Sequence, residues 1–201
     1  MPQKGWLIDL DKCIGCDTCT IACKSENNTR PLSSPMPFKN GGVLPDHVSY
    51  RWVVKKEGGA YPNPVLTFVT SACNHCQKPA CLASCPVSDV NNPSDENNAI
   101  FKRATDGIVL INQDVCIGCK NCIQSCPYGA PQFNSSTEKV EKCTFCLHRL
   151  EAGFLPACVT TCVGNALHQV DNFNFNQSGM NAPDGFANSS LTVPSVKFET
   201  G

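Results

Sequence analysis

The run Cys116-Ile-Gly-Cys119-Lys-Asn-Cys122-Ile-Gln-Ser-Cys126-Pro127 has the spacing C-x2-C-x2-C-x3-C-P, which is typical of sites for a [4Fe–4S] cluster. Three closely spaced cysteines on a tight loop can bind three irons of one cluster, and Gly118 lets backbone N–H groups approach the sulfurs. Cys126 follows one helical turn later and points away from that loop. In two-cluster proteins with this spacing, the fourth cysteine therefore binds the neighbouring cluster.

The other cysteines repeat this pattern. The chain has 201 residues and 16 cysteines, which form four groups of four with none left over. The first group has the same spacing as the third, and the second and fourth groups stretch the gap between their second and third cysteines. The groups are Cys13, Cys16, Cys19 and Cys23; Cys73, Cys76, Cys81 and Cys85; Cys116, Cys119, Cys122 and Cys126; and Cys143, Cys146, Cys158 and Cys162. Thiol chemistry must therefore stabilise a modest apolar core.

Zinc sites and disulfides are the alternatives. The fourth group alone could bind zinc through two C-x2-C or C-x3-C pairs separated by a finger, but zinc does not require the spacing of the first and third groups. Disulfides need an oxidising compartment, and residues 1–12 contain no charged region followed by an apolar run, as a secretion signal would. Four [4Fe–4S] clusters are predicted; a zinc or disulfide protein would be colourless.

The crossed ligation rule predicts four cysteine sets, here called quartets I to IV. Quartet I is Cys13, Cys16, Cys19 and Cys162, and quartet II is Cys23, Cys143, Cys146 and Cys158. Quartet III is Cys73, Cys76, Cys81 and Cys126, and quartet IV is Cys85, Cys116, Cys119 and Cys122. Finding Cys23 in the same set as Cys13 would contradict this hypothesis.

The predicted fold class is α+β, with two bacterial-ferredoxin-like modules, one inserted in the other. The inner two-cluster module spans residues 65–135 and contains a hairpin of Ala99–Arg103 and Ile108–Ile111 around Thr105-Asp106-Gly107. The outer two-cluster module combines residues 1–24 and 141–172. We expect the apolar strands Trp6–Leu10 and Ala166–Val170 to pair and close it.

Two segments lie outside these modules. Residues 25–64 are an insertion, in which a surface excursion over 25–46 precedes a hairpin of Val48–Val54 and Val65–Thr70 joined across Gly58-Gly59. Residues 173–201 are an extended C-terminal docking tail, rich in Asn, Ser and Gly, with one apolar patch at Leu191–Val196. Such a tail is disordered when free, or it docks on a partner.

Charge and motifs exclude several functions. The formal net charge is −1 and the basic residues are dispersed, so nucleic acid is not an expected partner. No apolar run approaches the roughly 18 to 20 residues of a membrane span. The sequence has no nucleophile elbow, P-loop or G-x-G-x-x-G motif. The cysteines are thus the candidate functional residues.

Several stretches resemble one known family. They are Trp6-Leu-Ile-Asp-Leu-Asp-Lys-Cys13-Ile-Gly-Cys16, Cys73-Asn-His-Cys76, Cys126-Pro-Tyr-Gly-Ala-Pro-Gln-Phe133-Asn134 and Lys142-Cys143-Thr-Phe-Cys146. Together they are similar to the iron–sulfur (beta) electron-transfer subunit of the dimethyl sulfoxide reductase family of molybdoenzymes. The dimethyl sulfoxide reductase branch is the most similar, with the arsenate and polysulfide reductase branches close behind.

The resemblance implies a non-catalytic relay subunit. Electrons would pass through four [4Fe–4S] clusters between a quinol or cytochrome donor and a large molybdopterin catalytic subunit, which reduces a small substrate such as dimethyl sulfoxide in anaerobic respiration. A membrane quinol-oxidising subunit or a cytochrome would complete the complex. The chain would lie at the membrane, on the periplasmic side after co-export with its partner, or else in the cytoplasm. A free polyferredoxin carrier is the alternative function.

A few other side chains are candidates for tuning the clusters. Lys78, Lys120, Lys142 and Arg149 are close to cysteines in sequence, where positive charge would raise a cluster's potential. His75 lies between two ligands and either supports them or is solvated. Solvated lysines are the alternative interpretation of the basic residues.

Overall fold

The fold combines short helices with small sheets. A computed structural model describes residues 2–29 and 48–200. The helices are α1 (Thr18–Glu26), α2 (Ala80–Ala83), α3 (Asn121–Ser125), α4 (Leu147–Glu151) and α5 (Ala157–Thr160). The strands are β1 (Gly5–Asp9), β2 (Arg51–Ala60), β3 (Asn63–Ala72), β4 (Ile100–Lys102), β5 (Val109–Ile111), β6 (Gln132–Asn134), β7 (Lys139–Glu141), β8 (Leu167–Val170) and β9 (Val196–Glu199). In the two described ranges, no helix has the length and apolar character that a membrane-spanning segment needs.

β1 is the central strand of a three-stranded sheet. It pairs antiparallel with β8, with Trp6 opposite Gln169, which confirms the predicted pairing of Trp6–Leu10 with Ala166–Val170. The side chain of Trp6 is only 1% exposed and stacks on Phe145 with ring centres 3.9 Å apart. The strand is therefore an anchor of the core.

The second partner of β1 is β9, which the sequence did not predict. The two strands run parallel, with Ile8 opposite Phe198. The segment 173–200 thus packs on its own chain, because Val196 and Phe198 supply apolar surface that β1 buries. Docking of this segment on a partner stays a prediction.

The predicted hairpin of Val48–Val54 and Val65–Thr70 is present as β2 and β3, but its turn does not lie at the predicted glycines. Gly58 and Gly59 pair with Val65 and Pro64 inside the ladder, and the chain reverses at residues 61–62. The prediction of a turn at the glycines was wrong because the two strands continue past them in register. Most of the predicted excursion over 25–46 lies outside the described residues.

The other predicted hairpin is confirmed, and a further one follows it. β4 pairs antiparallel with β5, and Gly107 in the connecting loop has a φ of +70°, which only glycine adopts without strain. β6 pairs with β7 in the same manner. These hairpins carry the chain from one cysteine loop to the next.

Helix contacts bring distant groups of cysteines together. α1 packs on α5, and α2 packs on α3. The first group thereby meets the fourth, and the second meets the third. These contacts are the ones that the nested-module hypothesis requires, and the nesting itself stays a prediction.

Candidate metal centres

Three cavities in the structure are each lined by one predicted quartet. Quartet III lines one cavity, quartet IV a second and quartet I a third. All sixteen cysteines are free of disulfides. Four thiols that converge on one cavity form a donor set suited to an iron–sulfur cluster, since thiolates are the protein ligands of such clusters.

Quartet II is assembled from two distant parts of the chain. Burial raises the pKa of the Cys23 thiol well above its usual range, and the neighbouring Cys143, Cys158 and Cys146 thiols raise it further. Since α1, which carries Cys23, packs on α5, which carries Cys158, Cys23 lies beside this part of quartet II. The cavity of quartet I is lined by Cys13 without Cys23. The use of these four sets as ligands stays a prediction.

Most of these thiols are withdrawn from water. Burial raises the pKa of Cys76 and of Cys122 to about 12, and their quartet neighbours contribute. Such thiols ionise only beside compensating positive charge, which a coordinated metal supplies. Cys16 and Cys119 differ, because both are exposed. Quartets I and IV therefore each reach the protein surface.

Several donors point at the cysteine sulfurs. The backbone N–H of Ala166 donates to Cys162 Sγ at 3.2 Å, and that of Phe145 to Cys143 Sγ at 3.4 Å. Thr18 Oγ1 donates to Cys16 Sγ at 3.3 Å. Donors of this kind stabilise thiolate charge and tune the potential of a bound cluster.

The loops that present the cysteines depend on glycine. Gly118 has a φ of +67°, and a Cβ at this position would lie 2.2 Å from the carbonyl oxygen of Glu138. Gly15 has a φ of +69°, and its Cβ would lie 2.3 Å from Phe68 Cδ1. Both loops are thus packed closely against the hairpins beside them.

We expect Gly118→Ala to weaken quartet IV. The left-handed conformation and the clash should lower the free energy of unfolding by about 2 kcal/mol or more. Iron and acid-labile sulfide analysis should then show partial loss, up to one cluster per chain. Gly58→Ala is the matched control, since no described atom lies within 4 Å of its added Cβ. Equal iron content in both variants would contradict the prediction.

Three buried cations and one partly buried cation lie near the quartets. Lys24, Arg51 and Lys142 are buried, and Lys102 is partly buried. Only Lys142 was among the sequence candidates, and its Nζ donates to the carbonyl oxygens of Val109 and Cys143. Lys24 follows a cysteine directly, a signal that could have found it, whereas Arg51 and Lys102 are distant from the cysteines in sequence. Their positive charges stabilise the negative charge of nearby thiolates.

The other basic candidates are at the surface. Lys78 and Lys120 are exposed. Arg149 donates to Glu26 at 3.0 Å. For Lys78 the interpretation as a solvated residue therefore holds, whereas Lys120 lines the cavity of quartet IV and its Nζ lies 3.8 Å from the ring centre of Phe133.

His75 supports the loop of quartet III. It is fully buried, and its Nδ1 accepts the backbone N–H of Val109 at 3.0 Å. Its ring meets Phe145 edge-on, with centres 5.2 Å apart. Burial lowers its pKa well below the usual range, and the nearby Lys142 and Lys102 charges act in the same direction. A solvated role for His75 is excluded.

Comparison with known proteins also indicates iron–sulfur sites. Residues 64–172 match the model of the 4Fe-4S dicluster domain, and residues 10–28 match that of a 4Fe-4S binding domain. A relative from the anaerobic dimethyl sulfoxide reductase of Escherichia coli is 36% identical over 82% of the present chain and 72% of its own length.

The protein belongs to the family of iron–sulfur subunits of dimethyl sulfoxide reductase-type molybdoenzymes. A relative from the tetrathionate reductase of Salmonella typhimurium is 42% identical over 80% of the present chain and 54% of its own length. The beta subunit of perchlorate reductase from Dechloromonas aromatica is 35% identical over 83% of the present chain and 64% of its own length. The chain thus spans from about half to about two thirds of the length of these two relatives.

Members of this family bind iron–sulfur clusters and transfer electrons, and they do not carry the catalytic site. Relatives named for perchlorate, tetrathionate and dimethyl sulfoxide share between 35% and 42% identity with the chain. Family membership confirms the resemblance given by the cysteine motifs.

Proposed function

We propose that this iron–sulfur subunit relays electrons through four [4Fe–4S] clusters bound by quartets I to IV. The relay would run between a quinol or cytochrome donor and a molybdopterin catalytic subunit that reduces a small oxidised substrate such as dimethyl sulfoxide. The observation that carries the proposal is the gathering of the cysteines into sets, three of which each line one cavity.

Each part of a site has a physical task. Thiolates of each quartet bind iron, and a [4Fe–4S] cluster held in this way accepts and releases single electrons. The N–H groups of Phe145 and Ala166 stabilise the sulfur charge. Apolar side chains such as Ile100 and Val109 exclude water beside quartets III and IV. Low solvent access and fixed donors limit the reorganisation that accompanies electron transfer.

Metal analysis tests the number and assignment of the clusters. The anaerobically purified chain should contain about sixteen irons and sixteen sulfides, because four clusters hold four of each. Its broad visible absorption should bleach with dithionite. A colourless, zinc-containing protein would contradict the proposal.

Cysteine variants test the crossed ligand sets in the same experiment. Cys162→Ser should change the same electron paramagnetic resonance signal as Cys13→Ser, since both belong to quartet I. Cys23→Ser should instead change the signal affected by Cys143→Ser. Cys13→Ser and Cys23→Ser are matched controls for each other, because Cys13 and Cys23 belong to one sequence group. If Cys13→Ser and Cys23→Ser affect one signal, the assignment is wrong.

Co-purification tests the proposed partner and substrate. Support for a large catalytic partner comes from the named relatives, which are subunits of reductases. A tagged chain should retain a large molybdopterin subunit, and turnover of dimethyl sulfoxide by that complex would identify the substrate. A monomer carrying four clusters without a large subunit would favour the free polyferredoxin carrier.

We also place this complex at the cell membrane, on its periplasmic side. This location rests on the proposed quinol donor, which is held in the membrane. Protease treatment of spheroplasts tests it, because a periplasmic chain is digested while a cytoplasmic chain survives.

A further inference from the structure

A buried arginine lies between quartets I and II. Arg51 is the first residue of β2, and its side chain is 1% exposed. Its Nη1 donates to Thr70 Oγ1 at 2.9 Å, and the same oxygen is 3.4 Å from Cys19 Sγ of quartet I. The guanidinium lies 4.6 Å from the ring centre of Trp6. β1 and β3 thus fix the position of this cation.

The rest of the guanidinium has no carboxylate partner. Within residues 2–29 and 48–200, Nε and Nη2 have no nitrogen or oxygen acceptor, and Arg51 forms no ion pair with a carboxylate. A hydrogen bond from Arg51 lowers the pKa of the Cys158 thiol of quartet II. Its charge also favours ionisation of the Cys143 and Cys23 thiols of quartet II and of the Cys19 thiol of quartet I. An unpaired buried cation is strongly destabilising, so this one requires an anion close by.

We propose that Arg51 is a positioning residue whose fixed charge raises the reduction potential of the cluster at quartet II most, and that at quartet I less. This inference rests on the proposed function. Reduction adds one electron, and therefore one negative charge, to a site already carrying four thiolates. A cation held in a low-dielectric interior stabilises the reduced state more than the oxidised one.

Quartets III and IV should respond differently. Lys102 donates to the carbonyl oxygen of Cys76 at 3.0 Å, and Lys142 acts on Cys81. These two lysines supply positive charge beside quartet III, as Arg51 does beside quartet II. The effect of Arg51 falls with distance and is screened, so a change at Arg51 should leave quartets III and IV almost unaffected.

Redox titration followed by electron paramagnetic resonance tests the proposal on the complete, cluster-loaded chain. The quartet II signal is identified by its change in Cys143→Ser. Arg51→Gln retains a donor for Thr70 and removes the charge, and Arg51→Lys retains the charge. Arg103→Gln is the control, since Arg103 pairs with Asp106 and Glu151 away from the quartets.

We expect Arg51→Gln to lower the reduction equilibrium constant of quartet II at least tenfold, equal to about 59 mV for one electron. Arg51→Lys should stay within about threefold of the parent chain, and Arg103→Gln should not differ from it. Loss of the quartet II signal in Arg51→Gln but not in Arg51→Lys would equally support a requirement for the charge.

Three results would overturn the inference: an unmoved potential in Arg51→Gln, an equal shift in Arg51→Lys, or loss of the quartet II signal in both variants. Failure of the proposed function is distinguishable, because the parent chain would then lack its iron and its four redox steps. Four normal steps with unmoved potentials contradict the role of Arg51 alone.

Discussion

Removal of iron and sulfide is expected to unfold the chain. The cysteines are themselves core residues: Cys19, Cys73, Cys143 and Cys158 lie in one buried cluster with Trp6 and Phe145. Structural metal sites contribute on the order of 10 kcal/mol each, as much as the whole stability of an ordinary domain. Without thiolate charge, the buried Arg51, which forms no ion pair with a described carboxylate, is also left uncompensated.

Circular dichroism and calorimetry measure this result. The iron-free chain, kept reduced, should lose its cooperative thermal transition and most of its strand signal. Rebuilding the clusters with ferrous iron and sulfide under anaerobic conditions is the control and should restore both. A cooperative transition near the original Tm in the iron-free chain would show that the apolar core is sufficient alone.

The second large effect is expected at β9. Phe198 is 1% exposed, and its ring centre is 5.2 Å from that of Phe186. Phe198→Ala should lower the free energy of unfolding by about 3 to 5 kcal/mol, since it leaves a cavity beside the central strand. Urea unfolding of the loaded chain measures the change. Leu191→Ala is the control in the same segment, because Leu191 is 66% exposed and its removal should cost less than about 0.5 kcal/mol.

The effect should extend to quartet III. Thr192 lines its cavity and lies at 2.8 Å from Tyr128 through their hydroxyl oxygens. The backbone N–H groups of Gln77 and Lys78 donate to the carbonyls of Val193 and Thr192. Loosening the segment should therefore make the quartet III cluster more accessible to chelators. Equal rates of iron loss in Phe198→Ala and Leu191→Ala would contradict this link.

Features that depend on local spacing could be predicted from the sequence. The quartets were predicted from the reach of a tight loop and one helical turn, and the cysteines of quartets I, III and IV each line one cavity. The β1–β8 pairing and the β4–β5 hairpin follow from short apolar runs beside the cysteine groups. In each case a few neighbouring residues are sufficient to predict the local structure.

Other features depend on contacts between distant segments. The apolar patch of 191–196 gave no indication that Val196–Glu199 would add a parallel strand to β1, because a single short run does not select its partner. Nothing near Arg51 in the sequence indicates a cysteine, and the hairpin register alone brings it to Thr70. The turn at residues 61–62 was missed because glycine is compatible with both a turn and a strand end.

The central place of β1 has a consequence for synthesis of the protein. Both neighbours of this strand, at Leu167–Val170 and Val196–Glu199, are translated long after Gly5–Asp9. Because chains emerge at roughly 5 to 20 residues per second, β1 stays unpaired for about ten seconds or more. Cys13, Cys16 and Cys19 are likewise translated long before Cys162. The cluster proposed at quartet I could therefore receive its full set of ligands only after Cys162 has been translated.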